Sequence, residues 1–159
     1  MTVTANEVQD SIKITDEVIN DFHAKPQELI PILMKLNLEL GFLSPEVLER
    51  ISARLHIPSS RVYSIASFYH MIYTKPTGRH VVKFCESAPC HVAGGREVWK
   101  ALQKEMGIKP GETSKDGRWT LFNTSCLGVC AVGPVMMVDE DIYGNLSPDQ
   151  LPNILAKYP

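Results

Sequence analysis

Four cysteines are all that the chain carries, and they fall in two short stretches, CESAPC (Cys85–Cys90) and SCLGVC (Ser125–Cys130). Each pair stands close behind an apolar run with strand character, HVVKF before Cys85 and WTLF shortly before Cys126. Loops leaving the same end of one small sheet bring both pairs to one point. The chain is thereby constrained to a fold in which these two strands finish at a common edge.

The spacing is C-x4-C, then 35 intervening residues, then C-x3-C. Four thiolates at one place suit zinc or an iron–sulfur cluster. Structural zinc commonly uses the tighter C-x2-C, because a single ion sits about 2.3 Å from every sulfur. A two-iron cluster is wider and gives each iron its own cysteine pair, so the longer loops suit it. Spacing alone leaves both metals open. A thioredoxin-type redox pair and c-type haem attachment each need C-x-x-C, which is absent. Pro89 is expected to interrupt regular helix in the first loop. Gly128 is expected to let the second loop approach sulfur or take positive φ, and the amides of Gly128, Val129, Ala131 and Gly133 to donate to the sulfurs. Four cysteines complete a ligand set, so His91 is assigned a supporting role; His23, His56, His70 and His80 form no metal-site spacing.

The rest of the sequence narrows the function by exclusion. A net charge of −2, without a basic tail or arginine cluster, gives no electrostatic case for nucleic acid. No apolar run reaches the length of a membrane span, so direct membrane insertion is not expected. The stretch MTVTANEVQDSIK lacks the basic and apolar regions of a signal peptide, which predicts a cytoplasmic chain with reduced thiols. The nucleotide-binding patterns G-x-G-x-x-G and G-x-x-x-x-G-K and the hydrolase pattern G-x-S-x-G are absent. Asp139-Glu140-Asp141 reads as an acidic turn facing water.

Helical patterning dominates residues 1–75. Val8, Ile12, Ile19 and Phe22 share the face of a first helix, and Leu29, Leu33, Leu36 and Leu40 that of a second, over about Pro26 to Leu40. Gly41 is its stop. Ser44-Pro45 caps and opens a third helix, to about Leu55. Pro58-Ser59-Ser60 opens a fourth, with Val62, Ile65, Ala66, Tyr69 and Tyr73 on its apolar face. These stripes read as packing surface. A turn at Lys75–Gly78 precedes a change of pattern. Strands are expected over His80–Phe84, Trp119–Phe122, Val135–Val138 and around Ile142-Tyr143. Helices are expected over about Arg96 to Met106 and from Ser147-Pro148 to about Lys157. The result is an α+β (or α/β) unit over residues 79–159 behind an all-helical region.

The segments IPSSRVYSIASFYHMIYTKPTGRH, CESAPCHVAGG, DGRWTL, CLGVCAVGPVMMV and the helix after LSPDQLP resemble the thioredoxin-like [2Fe–2S] ferredoxin family. The likeness is specifically to the E-type subunits of bacterial NADH:quinone oxidoreductases, with relatives in multimeric NAD-dependent hydrogenases, electron-bifurcating ones included, and in formate dehydrogenases. It covers about Leu29 to Tyr158. The resemblance implies that Cys85 and Cys90 hold one iron of a single [2Fe–2S] cluster and Cys126 and Cys130 the other. It implies a thioredoxin-like domain with a small mixed sheet over 79–159, and a docking role for the helical bundle over 1–75. It further implies a non-catalytic electron carrier, partnered by an NADH-binding FMN flavoprotein and further iron–sulfur subunits, with FMN and NAD(H) on the partner only. Some relatives have an acidic residue where this chain has Ser125, a difference in local charge that leaves the ligand set intact. A zinc-stabilised interaction module is the competing reading from another class.

Overall fold

The computed structural model describes residues 5–159, with side chains from Val8 onward. The chain divides into two compact units between Pro76 and Thr77. Among the described residues no helix is long and apolar enough to cross a membrane.

The first unit is helical: α1 (Ala5–Asp21), a 3-10 turn at Pro26–Glu28, α2 (Leu29–Leu40), α3 (Pro45–Leu55) and α4 (Ser59–Phe68). Its core takes in Ile19, Leu33, Leu36 and Val62 of the predicted stripes, together with Ile51 of α3, all fully enclosed, while Val8 and Ile12 of the first stripe stay half-buried outside it. Each such side chain contributes about 1.5–3 kcal/mol on burial. Ser44 caps α3 as its sequence predicts, accepting from the Val47 amide at 3.4 Å with Pro45 in the first turn. Asp16 on α1 accepts from Arg50 Nε at 2.9 Å and from Arg54 at 2.7 Å, tying α1 to α3. Helix α4 stops at Phe68, short of Tyr73, because Tyr69 turns extended (φ −85, ψ 113). The chain beyond is captured from α2: Asn37 donates to the Met71 carbonyl at 3.1 Å and accepts from the Tyr73 amide at 2.7 Å.

The second unit holds a four-stranded mixed sheet in the order β2-β1-β3-β4, built from β1 (His80–Cys85), β2 (Trp119–Thr124), β3 (Met136–Val138) and β4 (Asp141–Tyr143). Strands β1 and β2 are parallel, which requires a crossover. It is supplied by a helical turn α5 (Ala88–Cys90), a wider turn over His91–Gly95, and α6 (Arg96–Met106). A short α7 (Leu151–Leu155) packs beside α6. The pleat of β1 sends Val82 and Phe84 into the core with Leu102, Leu121, Met136 and Leu151, while Lys83 faces away. Strand β2 runs two residues beyond its apolar stretch because pairing with β1 continues to Cys85 opposite Thr124. The acidic run is more than a solvated turn. Asp139 accepts from the Val81 amide at 2.8 Å and pairs with His80 at 2.7 Å, and Asp141 accepts from the Tyr158 hydroxyl at 2.6 Å. The architecture is α+β, a helical unit followed by a small mixed sheet flanked by helices.

Candidate metal centre

Cys85 is the last residue of β1. Its main chain is held on both sides of the sheet: its amide donates to the Val135 carbonyl at 3.1 Å, and the next amide, Glu86, donates to Thr124 at 3.0 Å. The chain then enters α5, with Ser87 at the N-cap position and Pro89 in the first turn. Pro89 therefore opens a helix where the sequence reading had it interrupt one; its missing N–H costs nothing in a first turn. The turn carries Cys90 inward, to 1% exposure beside Cys85 at 2%. Val135 completes this buried floor, with Leu127 and Val129 packed against it.

Cys126 lies two residues beyond the end of β2, and Cys130 opens a 3-10 turn over Cys130–Val132. Both are exposed. Their sulfurs stand 3.4 Å apart, and the Gly128 amide donates to Cys126 Sγ at 3.3 Å. Gly128 has φ 84, the left-handed conformation expected of it. The Gly133 amide is not a sulfur donor: it closes the turn onto the Cys130 carbonyl at 3.2 Å.

The two pairs share one electrostatic environment. Burial raises the Cys85 thiol, but amides of Ser87 and Leu127 and the Cys90 side chain outweigh it, holding Cys85 below the ordinary thiol range. Cys90 is pushed up to about 11, first by burial and then by Cys85, with the charge of Cys130 adding to the rise. Cys130 is raised by its hydrogen bond with Cys126, then by burial and by the charges of Cys126 and Cys85. Cys130 thus feels both pairs, and Leu127 from the second loop reaches Cys85 in the first. The parallel strands end both cysteine loops at one edge of the sheet, where Leu127 and Val129 of the second loop pack against the buried Cys85 and Cys90 of the first.

The donor set is four sulfurs in two pairs, one buried and one exposed. Among the described residues, no three thiol, imidazole or carboxylate side chains converge on a position for a single ion. Two pairs with amide donors close to them, and no fifth protein ligand, fit a cluster that assigns two thiolates to each iron. His91 is turned elsewhere, its Nε2 accepting from Arg96 at 2.9 Å. Beside Cys85 a cleft is lined by Phe84, Glu86, His91, Arg96 and Trp99, with Phe84 and Trp99 stacked at 5.1 Å. Sequence reading missed this rim; only the alternation of β1 and the periodicity of α6, taken together, hint that Phe84 and Trp99 meet.

A family profile described as thioredoxin-like [2Fe–2S] ferredoxin matches residues 15–159. The chain is 41% identical over 138 residues to the E-type subunit of the NADH-quinone oxidoreductase of Escherichia coli, an alignment covering 87% of this chain and 81% of that one. It is 36% identical to the corresponding NADH-quinone oxidoreductase subunit from Buchnera aphidicola, over 96% of this chain and 98% of that one. It is 32% identical to the HndA subunit of the NADP-reducing hydrogenase of Solidesulfovibrio fructosivorans, over 89% and 85%. Among solved structures, an NAD+-reducing [NiFe]-hydrogenase in the H2-reduced state shares the fold, with a TM-score of 0.69 and 23% identity. That match covers 82% of this chain and 22% of the much longer hydrogenase chain.

Proposed function

The chain belongs to the thioredoxin-like [2Fe–2S] ferredoxin family, and on that premise we propose that it is the one-electron carrier of an NAD(H)-linked multisubunit oxidoreductase. The observation that carries the proposal is the paired thiol set at the common end of β1 and β2.

Cys85 and Cys90 would hold one iron of the cluster and Cys126 and Cys130 the other. When bound, the cluster supplies storage for one electron at a time. The residues of the chain do the remainder. The Gly128 amide at Cys126 Sγ and the amides near Cys85 offset negative charge on sulfur. The Val135 floor with Leu127 and Val129 keeps water from the buried pair, while Cys126 and Cys130 are exposed to solvent. Carrying the electron asks no residue of the chain to act as acid, base or nucleophile. Hydride chemistry, FMN and NAD(H) belong to a partner flavoprotein, further iron–sulfur subunits complete the chain of carriers, and the helical unit is the docking element. The compartment is the cytoplasm, where thiols stay reduced for metal.

The parent complex proposed is an NADH:quinone oxidoreductase, supported by the 41% identity to an E-type subunit. An NAD(P)-linked hydrogenase is the second reading, supported by the 32% identity to HndA. The test is anaerobic purification. Reddish-brown protein with iron and sulfide at about two each per chain is expected, and co-purification with a flavoprotein whose NADH oxidation reduces the carrier. Colourless protein holding one zinc per chain overturns the reading. Assay of the native complex with quinone and with hydrogen separates the two parents.

A further inference from the structure

The two thiol pairs differ in a way that a ligand role alone does not use. Cys85 and Cys90 are 2% and 1% exposed and walled in by Val135, whereas Cys126 and Cys130 are exposed. The outer sulfurs already stand 3.4 Å apart, so closing them to the ~2.05 Å of a disulfide needs a movement of about 1.4 Å. The connecting residues are free to supply it. They form an irregular loop between β2 and a 3-10 turn, hinged at Gly128, with open space around that glycine.

Taking the four cysteines as cluster ligands, as proposed above, we propose that the cluster-free chain carries a reversible modification site at the outer pair: Cys126 and Cys130 oxidise to an intramolecular disulfide that blocks cluster loading until it is reduced. The oxidant is a low-molecular-weight disulfide of the glutathione class. One outer thiolate attacks a sulfur of that disulfide, forms a mixed disulfide and releases one small thiolate. The neighbouring thiolate then attacks the protein sulfur of the mixed disulfide and releases the second. Cys126 and Cys130 together give up two electrons and two protons, and one oxidised glutathione becomes two reduced ones. A ring this short gains little from chain entropy, so the bond is readily reduced again. While it stands, only the two inner sulfurs are left for metal. In the loaded protein both outer sulfurs are occupied, which confines the switch to the unloaded chain.

The test uses the full chain, freed of cluster under reducing conditions and then incubated anaerobically with oxidised glutathione. Remaining thiols are alkylated and the peptides mapped by mass spectrometry. One Cys126–Cys130 bond is expected, with alkylation at Cys85 and Cys90, and no bond when the loaded protein is treated in the same way. Cluster transfer from a loaded scaffold protein, without free thiol or sulfide, is expected to be lost in the oxidised chain and restored by prior reduction. Cys126→Ser, checked for folding by circular dichroism, is expected to form no internal bond and to leave a glutathione adduct on Cys130. A Cys85–Cys90 bond, a bond between the pairs, four alkylated thiols, or stable adducts on both outer cysteines overturns the proposal. Failure of the carrier reading is separate: there the reduced chain takes up no iron and sulfide, whatever the thiol map shows.

Discussion

Gly95 offers the sharpest test of how rigidly the inner cysteine is held. Its backbone is ordinary right-handed helix, φ −58 and ψ −25, at the start of α6. At such a position, alanine in place of glycine normally stabilises by about 1 kcal/mol. Here a Cβ would stand 2.6 Å from the Cys90 carbonyl oxygen and 3.0 Å from its carbon. Reaching the 3.4 Å of ordinary contact takes about 0.8 Å of main-chain movement. On the other side of Cys90, the bare backbone of Gly133 leaves empty the place where a Cβ would stand 3.3 Å from the Cys90 sulfur, so the strain falls on the contact between Gly95 and the Cys90 carbonyl. Overpacking of this kind costs about 1–3 kcal/mol, and the upper part of that range applies because main chain cannot rotate aside. Gly95→Ala is therefore expected to destabilise the second unit by about 1–2 kcal/mol after the propensity gain is subtracted. Both tryptophans, Trp99 and Trp119, lie in that unit, so urea unfolding of the reduced, cluster-free chain followed by fluorescence reads it selectively. Gly107→Ala is the matching control. There nothing lies within 4 Å but φ is 65, so the expected loss of about 1 kcal/mol comes from left-handed backbone alone. An unchanged or raised midpoint for Gly95→Ala would refute the claim that the Cys90 carbonyl leaves no space for a side chain at residue 95.

Asp16→Asn is expected to cost about 1 kcal/mol at neutral pH. Hydrogen bonding from Arg50, against some burial and aided by the charges of Arg50 and Arg54, holds the Asp16 carboxyl below the usual range. A lowered native value means the stabilisation is full above pH about 4 and fades as pH falls through that native value. The urea midpoints of wild type and variant should accordingly converge in acid; a constant difference down to that range would refute the assignment. Asn37→Ala strands the Met71 carbonyl and the Tyr73 amide, each having lost its side-chain partner. A loss of about 2–4 kcal/mol in the thermal unfolding of the helices is expected, and a loss near that of an exposed alanine substitution would show that water replaces both bonds.

Much of this architecture was readable locally. Ser44-Pro45 announces α3 through cap chemistry that involves only neighbouring residues, and HVVKFC announces a strand delivering a cysteine to its end. The spacing of the second pair placed it just beyond a strand, where the structure has it. What could not be read depends on partners distant in sequence. Helix α4 ends early because Asn37, more than thirty residues away, captures the chain behind it. Strand β2 gains Asn123 and Thr124 from its neighbour β1, not from its own apolar pattern. The contrast between inner and outer cysteines has no local signature either, since Val135 creates it from beyond both loops. Pro89 was misread because one proline breaks a helix interior yet suits a first turn, and the choice rests on where the turn begins.

The parallel register of β1 and β2 makes the stretch between α6 and β2 a spacer whose length the cysteine site never reads. Cys85 is opposite Thr124 whatever path the crossover takes between them. The tip of that path, closed by the Gly117 amide on the Ser114 carbonyl at 2.9 Å, lies between α6 and β2, outside both cysteine loops. Extra residues at that tip add loop entropy, which grows only slowly with length, while the sulfur geometry stays tied to strand pairing. The sheet acts as a ruler for the ligands, and the length of the crossover is left free to change.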